Sequence, residues 1–345
     1  AAFLLFLGVI ARFGAFRSGL FGYQFNLNTP IWGATFASFS KFIGIGQVII
    51  WYSFFRERRG WRFLALVCIG IVLVSAIMSG SRGVFFNSFL LIVAGYQYAQ
   101  KNWRIDKLWG WGILLAASLA FGMIFGTYFR QVKVMTLGRT SSMTVNDTFS
   151  VLTEVLSTTR EQSVSELGKY AWERIIERMD GITSLSVILS YADRVKYLES
   201  AAGIDHNIKK DFATAFIPRF LWPSKPIVGG SEQIGNIYYG SKYHSPAVTY
   251  MGDLYRNFGV WGIVPGMLVL GIVLRGLYVW LIENHEGSPL RVGLFLSLAS
   301  IVNYEGLYST FFPSLIRAFL IALMVILLVK VLRVKSVPRY KREVL

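Results

Sequence analysis

Long apolar stretches recur along the chain and leave few folds open to it. Residues 31–54, 63–79, 84–100, 108–127, 259–282, 290–308 and 311–334 each carry few charges, and a shorter apolar piece covers 1–11. A helix needs about 20 apolar residues to cross the hydrocarbon layer, where every backbone N–H and C=O must be satisfied within the segment itself. The pattern predicts an all-α polytopic membrane bundle. Composition agrees: 54% of residues are hydrophobic, 16% are charged, and the mean hydropathy is +0.49, too apolar for a soluble domain. The chain opens AAFLLFLGVIA, without a Met and already inside an apolar run, so native helices are expected to precede it.

The net charge of +16 does not mark a nucleic-acid binder, because many basic residues gather in short runs beside the apolar stretches. RERRGWR (56–62), KNWRIDK (101–107), the turn ending at Arg291 and the tail KVLRVKSVPRYKR fall on one side when the helices alternate. The positive-inside rule makes that side the cytoplasm. Opposite it fall the turn SGSRG (79–83), the segment 128–258 and the turn around NYEG (303–306). The middle segment holds 15 Lys and Arg against 13 Asp and Glu, near balance, as expected of a folded extracytoplasmic element. Three regions follow: membrane helices in 1–127, a large outer loop in 128–258, and closing helices with a basic tail in 259–345. Inside the loop, Ser163 and Glu166 have capping-box spacing for an amphipathic helix through Met179. The apolar periodicity of 182–191 and the polar run 193–211 predict separate short helices.

Cys68 is the only cysteine, so there is no disulfide framework. His206, His244 and His285 lack metal-ligand spacing, and no nucleotide or dinucleotide fingerprint stands in context; no cofactor and no metal is expected.

The polar residues of the outer side are the candidates for chemistry. Arg82 in SGSRG is expected to face an anion together with nearby backbone N–H groups. Arg219 and Lys225, in the proline-stiffened segment IPRFLWPSKP, are placed to hold a diphosphate, with Trp222 between them. Ten residues separate Arg219 from Gly230, and the Gly229–Gly230 pair reads as a flexible hinge. Arg178, beside Asp180, and Arg256, in GDLYRNFG, are further cation candidates. For a general base, His244, Asp253 and Glu305 compete, since a carboxylate at a membrane mouth is costly unless paired or used. Tyr238, Tyr239, Tyr243 and Tyr255 are candidates to stack on sugar faces or to form an interfacial belt. Lys41 and Arg275 fall inside predicted spans, Arg275 deep enough to imply a polar interior contact.

SGSRG, then IPRFLWPSKP with its R-x10-G spacing, then YMGDLYRNFGVWGIVPG (250–266) together resemble the Wzy-type polymerases of O-antigen and exopolysaccharide repeat units. The resemblance spans most of 60–335 in order and topology. It implies a multi-spanning, metal-independent glycosyltransferase of the bacterial inner membrane, acting on the outer face. Its substrates would be oligosaccharides on undecaprenyl diphosphate, with a flippase and a chain-length regulator as pathway partners. Arg82 and Arg219 carry over at matching motifs as ligands of anionic carrier or glycan. A second, earlier R-x10-G is missing, because Arg82, Arg130 and Arg160 are followed at that spacing by Val93, Ser141 and Ala171. Two other readings stay open: an O-antigen ligase with a similar outer loop, and a transporter, against which stands the concentration of polar residues outside the spans.

Overall fold

The computed structural model describes residues 1–19, 31–57, 60–100, 108–138, 143–160, 164–217, 221–222, 229–240, 248–285, 288–302 and 306–331. Every regular element among them is helical. The first part comprises α1 (Ala2–Arg17), α2 (Ile31–Phe39), α3 (Phe42–Glu57), α4 (Arg62–Ser79), α5 (Arg82–Ala99) and α6 (Leu108–Leu137). Next come α7 (Val145–Arg160), α8 (Val164–Met179), α9 (Gly181–Ala201), α10 (Asn207–Thr214), α11 (Ser231–Tyr239) and α12 (Tyr250–Phe258). The chain closes with α13 (Val260–Leu281), a 3-10 turn at Glu283–His285, α14 (Pro289–Ala299) and α15 (Tyr308–Val331). Among the described residues, α4, α6, α13 and α15 are long and apolar enough to cross a membrane.

The axis of the bundle is α3, buried over most of its length from Phe42 to Ser53. Glycines let its neighbours approach closely, as in membrane helix pairs generally. A Cβ on Gly8 of α1 would stand 2.6 Å from the Ile43 backbone N, and one on Gly95 of α5 would stand 2.6 Å from Trp51 Cβ. Gly293 of α14 meets the carbonyl of Ile45 in the same way. Helices α2 and α3 divide the expected span 31–54 in two. The break falls at Ser40, whose hydroxyl turns back onto the Ala37 carbonyl at 2.7 Å and so satisfies a group the helix end would leave open.

α6 runs ten residues beyond the expected end at 127, through the start of the supposed loop. The apolar stripe Phe125, Tyr128, Phe129 and Val132 continues at helical spacing and buries against Ala76 and Phe85. Arg130 and Lys133 interrupt the apolar run in sequence, yet the helix continues through both, with Lys133 fully buried beside that face. α14 is shorter than the predicted span 290–308, and 303–305 lies outside the described residues.

In the middle of the chain α8 matches the predicted amphipathic helix, although Ser163 of its expected capping box lies outside the described residues. A reciprocal cap appears instead at the start of α7, where Asp147 Oδ2 accepts from Thr144 N–H and Oγ1 at 2.8 and 2.7 Å, and Thr144 Oγ1 accepts the Asp147 N–H at 3.2 Å. The two segments expected around 182–211 are α9, unbroken to Ala201, and α10. Ile188, Ala192, Val195 and Glu199 keep one inward face at helical spacing across the polar run, and Asp180 caps α9 through the Thr183 N–H at 2.9 Å.

Candidate functional site

A buried polar cluster gathers where α9–α12 meet α13 and α15. Its centre is α12, which divides its faces by residue type. Leu254 and Phe258 press onto glycine positions of α13, Gly266 and Gly262 respectively, while Asp253, Arg256 and Asn257, at i, i+3 and i+4, share the other side. Asp253 is fully buried. Its Oδ2 accepts the Ser309 N–H at 2.8 Å; its Oδ1 accepts from Arg256 Nη1 at 3.0 Å and Asn257 Nδ2 at 3.3 Å. Arg256 Nε donates to Glu199 Oε1 at 2.5 Å, and the same oxygen accepts the Tyr238 hydroxyl at 2.9 Å. The guanidinium also lies 5.8 Å from the centre of the Tyr238 ring, and its buried Nη2 has no hydrogen-bond partner among the described residues.

Asn207 ties in α10. Its Nδ2 donates to Ser309 Oγ at 3.1 Å and to the Gly229 carbonyl at 3.4 Å, and its Oδ1 accepts from Asn257 Nδ2 at 2.7 Å. Asn257 Oδ1 accepts the Ile208 N–H at 3.2 Å, and Asp211 accepts the Gly229 N–H at 2.9 Å. Among the described residues only His206 and Thr249 are non-glycines with positive φ, at 51° and 65°. They cap the two helices that supply Asn207 and the Asp253 group. Such strain persists only where the surroundings over-determine the backbone.

Burial pushes the Asp253 carboxyl up from its ordinary range, while the Arg256 charge and the Ser309 N–H pull the other way. Burial alone would lower Arg256, but the charges of Asp253 and Glu199 outweigh it and raise the group. Tyr238 is raised, first by burial and then by Glu199. The cluster is an ionic lock: one guanidinium held between two buried carboxylates.

The expected roles change accordingly. Asp253, expected as a base at the membrane mouth, is instead fully buried, its oxygens accepting from Ser309, Arg256 and Asn257. Arg256 is likewise buried, its side chain 1% exposed. Tyr238 is a buried donor to Glu199 rather than a sugar platform. Gly229 and Gly230 are no flexible hinge: both have positive φ, Gly229 is bonded through its N–H and its C=O, and Cβ atoms added to them would stand 2.6 Å from Thr310 and from Ile204. Arg275 is exposed and pairs with exposed Glu283 at 2.7 Å, its guanidinium 5.5 Å from the centre of the Tyr278 ring.

The SGSRG turn is a packed corner. Gly80 closes α4 at φ 55° against the Phe129 ring, Ser79 Oγ donates to the Ala76 carbonyl at 2.8 Å, and Ser81 N–H donates to Ser79 Oγ at 3.1 Å. Arg82 opens α5 from this corner and Arg178 lies in the last turn of α8; their side chains are outside the described part. Trp222 is half-buried. Arg219, Lys225, His244 and Glu305 lie outside the described residues. Gly80→Ala is expected to cost about 1–3 kcal/mol from φ strain and overpacking, read as a lower unfolding temperature in detergent; an unchanged temperature would mean that the corner yields freely.

Sequence reading missed Glu199, Asn207, Asp211, Asn257 and Ser309. Only Asn257 left a local signal, four residues after Asp253 on one helix face. Compared with known proteins, the chain matches no family model, no curated protein and no solved structure.

Proposed function

We propose that this protein is a membrane glycosyltransferase that joins oligosaccharide repeat units carried on undecaprenyl diphosphate. In this reading it works at the outer face of a bacterial inner membrane, and residues 128–258 form the large outer loop of an all-α bundle. The observation that carries the reading is the anchoring of the segment that bears Arg219, Trp222 and Lys225. That segment leaves α10, which begins at Asn207, and ends at Gly229; Asn207 and Asp211 bind the Gly229 C=O and N–H directly. α10 and Gly229, which flank the cation-bearing segment, are therefore tied directly to each other.

A lipid diphosphate donor calls for cations at its phosphates. The donor is already activated, so catalysis requires stabilising the charge that builds on the departing diphosphate and removing a proton from the acceptor hydroxyl. Arg219 and Lys225 would take the first task, with Arg82 and Arg178 as further anion ligands. His244 and Glu305 are the proposed bases, since Asp253 is committed to the lock.

The test is the glycan profile of cells lacking the protein, resolved by gel beside cells that express it. Loss of the ladder with single capped repeat units remaining supports the polymerase. Polymer accumulating on its lipid carrier would make the protein a ligase, and an unchanged profile would end the glycan assignment.

A further inference from the structure

α6 is longer than a crossing requires. Its 30 residues extend about 45 Å at 1.5 Å each, against roughly 30 Å of hydrocarbon, a surplus of about ten residues. Trp109, Ile113, Leu114 and Phe121 are exposed in the first half, whereas Arg130 and Lys133 lie in the last turns. The surplus therefore leaves the hydrocarbon at the C-terminal end. α7 and α8 pack against that end, Val151, Val155 and Tyr170 joining Tyr128, Phe129 and Val132 in one apolar cluster. Their depth is that of the headgroup region.

α7 has three faces. Thr148, Val151 and Val155 are buried. Asn146, Ser150, Thr153, Glu154 and Ser157 form a polar, solvated face. Between the two runs a separate stripe, Val145, Phe149, Leu152 and Leu156, at spacings of four, three and four; Leu152 is half-buried, and Phe149 and Leu156 are each 65% exposed. α8 adds exposed Trp172 and Ile176 one turn apart, and α6 itself ends in exposed Val134 and Met135. Water is a poor neighbour for so regular an apolar stripe.

We propose that α7 and α8 lie in the bilayer interface, with these side chains among the lipid chains and the polar face of α7 toward water. The lipid-exposed surface of α6 continues through Val134 and Met135 toward these helices, so the same bilayer reaches them. A narrow stripe bordered by polar side chains on its solvated edge suits shallow insertion. α7 carries Asp147 and Glu154 against Arg160, and α8 carries three Glu against one Lys and two Arg. Attraction to anionic lipid is therefore absent from the driving force, which comes from apolar burial. This proposal does not depend on the glycan reading.

The test uses the whole chain reconstituted in phosphatidylcholine vesicles, with nitroxide labels on single introduced cysteines. Cys68 is fully buried, and the unsubstituted chain gives the background. Phe149→Cys, Leu156→Cys and Ile176→Cys are expected to show severalfold greater collision with oxygen relative to a water-soluble nickel chelate than Ser150→Cys and Glu154→Cys. The ratio should stay the same when phosphatidylglycerol is added. Equal chelate access on both faces overturns the proposal. So does a stripe shielded from both reagents with spin–spin broadening between copies, which would make the face a contact with a second chain. Each position is read only where the variant keeps the parent's elution volume, and the remaining stripe positions report the same periodicity if one variant fails.

Discussion

Asp253→Ala is expected to destabilise the protein by about 3–5 kcal/mol, the cost of leaving a buried ion pair half-broken. The substitution strips the acceptor from the Ser309 N–H, from Arg256 Nη1 and from Asn257 Nδ2 at once. Among the described residues Arg256 would keep Glu199 as its carboxylate partner, while its Nη2 already lacks a hydrogen-bond partner there. Asp253→Asn should fall less far, since one amide oxygen still accepts, yet its NH2 must face one of the existing donors. The readouts are unfolding in detergent and trypsin cleavage after Arg219, which should quicken as the anchor at Gly229 loosens. A loss below about 1 kcal/mol, typical of exposed pairs, would mean that the cluster is wet and does not organise the segment.

The second large effect concerns activity instead of stability. Arg219→Ala is expected to lower polymer formation roughly a hundred- to a thousand-fold, the usual consequence of removing one donor that stabilises developing charge. Expression and unfolding temperature should not change, because the expected role of this side chain is to hold the anion and not to pack. Arg219→Lys should recover only part of the activity, since an ammonium keeps the charge without the bidentate geometry. A normal ladder in the alanine variant would remove Arg219 from the mechanism. Reduced protein level would instead assign the residue to folding, and the lysine variant would then recover both level and ladder.

The two variants separate anchor from ligand. Loss of the lock should depress stability and activity together, whereas loss of the ligand should depress activity alone.

The helical, membrane-embedded character of this chain was legible in its sequence, because apolar run length reports directly on what a hydrocarbon layer tolerates. The amphipathic α8 was legible for a related reason: its apolar positions repeat at a period fixed by the backbone. Boundaries were less so. Arg130 and Lys133 ended the apolar run on paper while α6 continued, and Ser40 broke a run that looked whole. Hydropathy averages over all faces of a helix, whereas packing acts on one.

The polar cluster was legible only at α12, where Asp253, Arg256 and Asn257 stand within a single turn and a half. Glu199, Asn207, Gly229 and Ser309 come from four other places in the chain, and nothing local in those residues says that they meet. Burial then decided the roles. The same carboxylate that reads as a candidate base in sequence becomes a lock once tertiary packing removes water and surrounds it with donors, because a charge in a dry interior persists only where its partners are fixed.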